Sequence, residues 1–185
     1  MEDLTKVYAY SDQHYGHQNI IKYCNREEPT ADLDAISMIK AHNEIITDKD
    51  IVIFVGDVSC SAYGTAILPK VIPKLKGTKI LVRGNHDKQS AEWYKKIGFA
   101  DVKDVLIIDK FIFNHFPNLP KVLEIAKERE LILVAGHTHK PFPDYGDGIP
   151  RINVAVDVIG KAPKLICENK AKQSRDKFFT NLNKK

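Results

Sequence analysis

Along the chain, short runs of β-branched and aromatic residues alternate with longer stretches whose apolar positions recur at helical spacing. The runs at 7–10, 51–55, 80–82, 105–108, 111–113, 131–134 and 152–156 are rich in Val, Ile and aromatics and mostly end at Gly, Asp or Asn, which predicts strands. Helices are expected at 18–24, 31–46, 90–97 and 121–130. In the second of these, Leu33, Ile36, Ile39 and Ile46 form the expected buried face, and Asp32 and Asp34 suit the positive end of the helix dipole. His42 in the same helix is expected to face solvent, and Trp93, Tyr94 and Phe99 to pack a later helix. The stretch 65–76 is ambiguous because Pro69 and Pro73 interrupt a helical pattern, and 141–150 reads as a Pro/Gly loop. This order predicts one α/β domain spanning 1–185, with helices on both faces of the strands.

Composition narrows the class without naming a function. A length of 185 residues with 43 % hydrophobic and 28 % charged residues fits one globular domain. No stretch approaches the roughly 18 apolar residues of a membrane span, and the first residues lack the apolar core of a secretory signal. Cys24, Cys60 and Cys167 share no CxxC spacing, so reduced thiols in a cytoplasmic setting are expected. The net charge of +4 is uneven: from 161 to 185 eight Lys or Arg face only Glu168 and Asp176. A basic tail over about 168–185 can follow a nucleic acid or another polyanion, but a solvated helix and a frayed terminus is the preferred account.

The candidate chemistry lies just after the strand-like runs. There stand Ser11-Asp12-Gln13-His14, Gly56-Asp57, Gly84-Asn85-His86-Asp87, Asn114-His115 and Gly136-His137-Thr138-His139. In α/β sheets ligands bind beyond the carboxyl ends of strands, so five loops are expected to deliver these residues to one place. Asp12 and His14, two apart, would leave an extended segment on one side and share an ion. His137 and His139 have the same spacing and would reach one ion each. Asp57 has two oxygens with which to bridge cations, and Asn85 adds a neutral oxygen. Mixed nitrogen and oxygen donors suit two divalent cations of the Mn²⁺, Zn²⁺, Fe, Co²⁺ or Ni²⁺ kind, Mn²⁺ first, better than Ca²⁺.

Taken in order, Asp-x-His, Gly-Asp, Gly-Asn-His-Asp, His and Gly-His-Thr-His resemble the calcineurin-like metallophosphoesterase superfamily, in particular its small single-domain bacterial and phage-type members. The opening Ser11 to His17 segment and the late 152–157 segment share the likeness. The resemblance implies two β-sheets packed face to face and flanked by helices. It implies one ion on Asp12, His14, Asp57 and His139, and a second on Asp57, Asn85, His115 and His137. His86 would bind no metal and would protonate the leaving oxygen or hold a phosphoryl oxygen; imidazole suits that work because its ordinary pKa lies close to neutrality.

Two departures bear on substrate. Where many relatives carry a second Asp, then Arg and Gly, this chain has Cys60, Ser61 and Ala62. The usual carboxylate behind His86 is thus replaced, with Asp87 the nearest candidate, and a phosphate-binding Arg is lost. A phosphoprotein substrate therefore ranks below a small-molecule or nucleotide ester, and a phosphodiester is favoured. His17 and Arg83 are candidate substrate contacts, against capping and structural ion-pair roles. Cys60 reads as a small buried hydrophobe more than as an auxiliary ligand. The alternatives are a nuclease using the same chemistry, and a metal-binding scaffold or interaction module without catalysis. No membrane partner is expected, and the oligomeric state is not legible.

Overall fold

The computed structural model describes residues 4–170. In chain order these form β1 (Leu4–Tyr10), α1 (Gln18–Tyr23), α2 (Ala31–Ile45), β2 (Ile51–Phe54), α3 (Ala62–Val71), β3 (Thr78–Val82), α4 (Ala91–Lys96), β4 (Asp101–Lys103), β5 (Leu106–Ile108) and β6 (Phe111–Phe113). Then come α5 (Pro120–Glu128), β7 (Ile132–Ala135), β8 (Tyr145–Gly146), β9 (Ile149–Asn153), α6 (Val156–Ile159) and β10 (Lys164–Lys170). The strands form two five-stranded sheets, ordered β10-β1-β2-β3-β4 and β5-β6-β7-β9-β8. Strands β1 to β4 run parallel, as do β6, β7 and β9; β10, β5 and β8 pair antiparallel at the edges.

Strand periodicity explains the layering. Val7, Ala9, Ile51, Ile53, Ile80 and Val82 point to one face of the first sheet and pack on Leu106, Phe111, Phe113 and Val134 of the second. The alternate residues Tyr8, Tyr10, Val52, Phe54 and Leu81 pack on Ala35, Met38, Leu68 and Tyr94 of α2, α3 and α4. On the outside of the second sheet, Ile112, Leu133 and Ala135 meet Val122 and Ala126 of α5. Both faces of each sheet are thus apolar, one against helices and one against the other sheet. This is the two-sheet architecture expected from the resemblance; helices cover only one face of each sheet, because the other face is taken by the neighbouring sheet.

Several local expectations change. The buried side of α2 is Ala31, Asp34, Ala35, Met38 and His42, while Leu33 and Ile36 are 45 % and 61 % exposed. Polar residues take that face because each has a partner: Asp34 pairs with Arg26 at 2.9 Å. His42, expected in solvent, is fully buried between the Tyr10 hydroxyl and the Lys76 carbonyl, each 3.0 Å away. The ambiguous stretch is helical in spite of Pro69, with Ser61 capping α3 through a bond from the Gly64 amide. Asp147 and Gly148, both at positive φ, make a two-residue turn between β8 and β9 where a loop was expected. Residues 168–170 belong to β10, paired with β1, and the rest of the expected basic tail lies outside the described residues. Tyr94 and Phe99 are buried as expected, and the three cysteines are free.

Candidate metal centre

The loops after β1, β2, β3, β6 and β7 meet at the end where the two sheets join. Backbone bonds tie them to one another. Ser11 donates to Val154 O at 2.8 Å, Asp12 to Gly56 O at 3.0 Å, His14 to Asp57 O at 3.1 Å and Gly136 to His115 O at 3.2 Å. Asp12, His14, Asp57, His137 and His139 all have φ between 48° and 73°. That left-handed region is uncommon for residues with side chains and persists where surrounding contacts over-determine it. Asp12 and His14 therefore do not share a side of an extended segment; two left-handed turns aim them instead. Gly84 and Gly136 permit the close approach, since a Cβ at either would overlap the Asp57 or the Ser11 and Asp12 side chains.

Two sets of donor atoms result, each within 4.8 Å of one another: Asp12, His14 and His139, and Asp57, His115 and His137. In the first, His14 Nε2 lies 3.2 Å from His139 Nε2, which is 3.6 Å from Asp12 Oδ1. In the second, His115 Nε2 lies 3.1 Å from His137 Nδ1 and 3.2 Å from Asp57 Oδ2. Asp57 Oδ2 is also 3.9 Å from His14 Nε2, so this one oxygen faces both sets, while Oδ1 accepts the His86 amide at 2.9 Å. Two histidines have their far nitrogens occupied. His115 Nδ1 donates to Val55 O at 2.8 Å and His139 Nδ1 to Asp157 Oδ2 at 2.6 Å, which turns both Nε2 lone pairs inward.

The electrostatics favour cation binding. Burial drives the His14 pKa down to about 3, with the Asp57 charge only partly opposing, so the ring is neutral at ordinary pH. His137 is lowered, first by burial and then by the neighbouring His115. Burial would raise Asp57, but the contact with His115, the His115 charge, the His86 amide and His14 together outweigh it and hold the carboxylate below its usual range. His115 is correspondingly raised: burial lowers it, and the same bond with Asp57 and the Asp12 charge prevail. His14 and His137 are thus held as neutral imidazoles beside carboxylates, the ligand state a divalent ion requires, whereas His115 and His139 are raised by the same carboxylates that would share the ion. Asp12 Oδ1 and Asn85 Oδ1 are buried with no hydrogen-bond partner among the described residues, as expected of oxygens reserved for a cation.

The remaining predicted residues fall around this centre. His86 stands at its mouth, its side chain 46 % exposed, with Nε2 3.9 Å from Asp57 Oδ2 and its ring edge-on to His14. Asp87 does not back His86. It is buried and accepts the amides of Gly84 and Asp57 at 2.8 Å and of Val58 at 3.1 Å, lashing the β2 and β3 loops together. His17 is the N-cap residue of α1 but makes no side-chain capping bond. Instead it joins His14 and Cys60 in a third group of donor atoms, and the Nδ1 atoms of both histidines lack partners among the described residues. Cys60 is half-buried there, its thiol pushed up to about 11 by burial. Arg83 is half-buried after β3, and its charge reaches Tyr94 and Glu92 of α4.

Two further residues stand behind these side chains: Asp157, which ends the 152–157 segment but was given no role there, and Arg26, which no motif contains. Asp157, at the start of α6, orients His139. Arg26, after α1, bonds Asp157, Asp34 and the carbonyls of Asp12 and Gln13. The bonds from His139 and Arg26 outweigh burial and hold Asp157 down at about 2. A sequence clue existed in each case: Asn25 marks a helix stop beside Arg26, and Asp157 directly follows a strand-like run.

A sequence model described as a calcineurin-like phosphoesterase superfamily domain matches residues 6–155. The chain therefore belongs to the calcineurin-like phosphoesterase superfamily. It is 32 % identical over 164 residues to the uncharacterized protein MJ1445 of Methanocaldococcus jannaschii, covering 86 % of each chain. Its fold is also that of AQ665, a protein of unknown function from Aquifex aeolicus solved by crystallography. That likeness has a TM-score of 0.72 at 24 % identity, covering 87 % of this chain and 95 % of the other. Among the described residues no helix is long and apolar enough to cross a membrane.

Proposed function

We propose that this chain is a dinuclear-metal-dependent phosphoesterase, with a phosphodiester or nucleotide-like ester as substrate. The observation that carries the reading is the pair of donor sets meeting at Asp57 Oδ2, with His86 half-exposed beside them. Asp12, His14, Asp57 and His139 would hold one cation, and Asp57, Asn85, His115 and His137 the other, with Mn²⁺ the first choice. When bound, such a pair lowers the pKa of water and neutralises charge on phosphoryl oxygens. Around it, His86 gives a proton to the departing ester oxygen, and Asp57 fixes the His86 backbone through its amide. His17, beside the His14 ring, is the chain's phosphoryl contact from the opposite loop. Preference for a diester follows from Cys60, Ser61 and Ala62 standing where relatives place Asp, Arg and Gly.

The test is hydrolysis of a nitrophenyl phosphate and a bis-nitrophenyl phosphate by metal-stripped protein refilled with Mn²⁺. Metal-dependent turnover, higher on the diester and nearly abolished in Asp57→Asn, is expected. Equal turnover of either ester with and without metal would refute the reading.

A further inference from the structure

We propose that Arg26 is a positioning residue for the first cation site, coupling the Asp12 loop to the carboxylate that orients His139. This rests on the metal-centre reading above.

The chain delivers Arg26 inward by a local device. Helix α1 stops at Tyr23, Asn25 turns left-handed at φ 50°, and the Arg26 amide reaches back to Ile21 O at 2.9 Å. This six-to-one bond is the mark of a Schellman turn, with Asn in the position glycine usually fills. The side chain that follows is 5 % exposed.

Every N–H of its guanidinium can then be assigned. Nε and Nη2 bond the two oxygens of Asp157 at 2.8 and 3.1 Å, a forked pair. Nη2 also reaches Asp12 O at 2.8 Å, and Nη1 reaches Gln13 O at 2.8 Å and Asp34 Oδ2 at 2.9 Å. Five donors meet five contacts, which a lysine, with three donors from one point, cannot reproduce. The contacts are also one-sided. Arg26 grips the backbone of Asp12, itself left-handed, and the carboxylate behind His139, so two residues of the first donor set hang on it. Among the described residues none of its hydrogen bonds goes to Asp57, His115 or His137 of the second. Asp34 and Asp157 flank the guanidinium, and Lys161 Nζ stands 3.5 Å from Asp34 Oδ1 on the outer side. The cluster is thus a buried brace whose direct contacts lie behind one cation site only.

The prediction is asymmetric loss. Metal-stripped full-length protein titrated with Mn²⁺ by calorimetry should bind two ions per chain, and its electron paramagnetic resonance should show a coupled pair. Arg26→Lys should keep one site at its original affinity and weaken the other by about 10–100-fold, as loss of a ligand's supporting contact does. At intermediate Mn²⁺ its spectrum should be that of an isolated ion. Equal affinity at both sites, or an equal drop at both, would overturn the proposal. Should Arg26→Lys fail to fold by circular dichroism, Asp157→Asn carries the same test, with the same outcomes. Wild-type protein that binds no Mn²⁺ would sink the metal-centre reading and this inference together.

Discussion

His139 Nδ1 donates to Asp157 Oδ2 across 2.6 Å, and this bond turns His139 Nε2 toward Asp12 and His14. The carboxylate is held at about 2 by His139 and Arg26, against a usual value near 3.8. A depressed carboxylate contributes stability that is fully present above its unfolded pKa and lost as pH falls through the folded one. Metal-free wild type should therefore lose stability between about pH 4 and pH 2 through this group. Asp157→Asn should lack that share of the slope in denaturant titrations across the window. An unchanged slope would show that the bond does not persist in solution.

His86→Ala should leave Mn²⁺ stoichiometry intact and lower turnover by about 10²–10⁴, the usual worth of acid–base assistance. The check pairs metal analysis with steady-state kinetics on the better nitrophenyl ester. Loss of a metal without loss of residual rate would move His86 into the ligand set.

Asp87→Ala should destabilise the fold by about 2–4 kcal/mol, because three amide donors lose their acceptor in a buried place. Chemical denaturation at neutral pH measures it. A change below about 0.5 kcal/mol would mean that water replaces the carboxylate without cost.

His42 supplies a second pH signature, remote from the centre. Burial takes its pKa from 6.5 to about 4, with the Lys76 carbonyl only partly opposing. The unfolded chain then binds the extra proton first, so stability is present above pH 6.5 and lost as pH falls toward 4. His42→Gln should flatten the stability profile of the metal-free protein over that interval, even though His14 titrates in the same direction there. A profile as steep as wild type would place the His42 proton elsewhere.

Much of the fold was legible because strands and helices announce themselves by period. The runs at 7–10, 51–55 and 111–113 agree closely with β1, β2 and β6. Strand β4 was missed because Asp101 and Lys103 leave it a single apolar residue, and β8 because two residues show no alternation; β9 ends at Asn153, so the run expected at 152–156 meets it only at its first two residues. The face of α2 was misread for a different reason. Hydrophobic spacing picked Leu33 and Ile36, but Asp34 and His42 are buried because they have partners, and partners are invisible to spacing.

By itself the sequence determined the chemistry on offer: which side chains follow which strand, and that they are nitrogen and oxygen donors. Those are properties of neighbours along the chain. Only the tertiary structure decided how the offer is used. It set the left-handed turns that aim Asp12, His14, Asp57, His137 and His139, and the nitrogen each of His115 and His139 presents. It also sent Asp87 to backbone amides instead of His86, and drew Arg26 to Asp157, 131 residues away in the chain. Contacts at such separations depend on two sheets closing at one end, and no local pattern of polar and apolar residues encodes that approach.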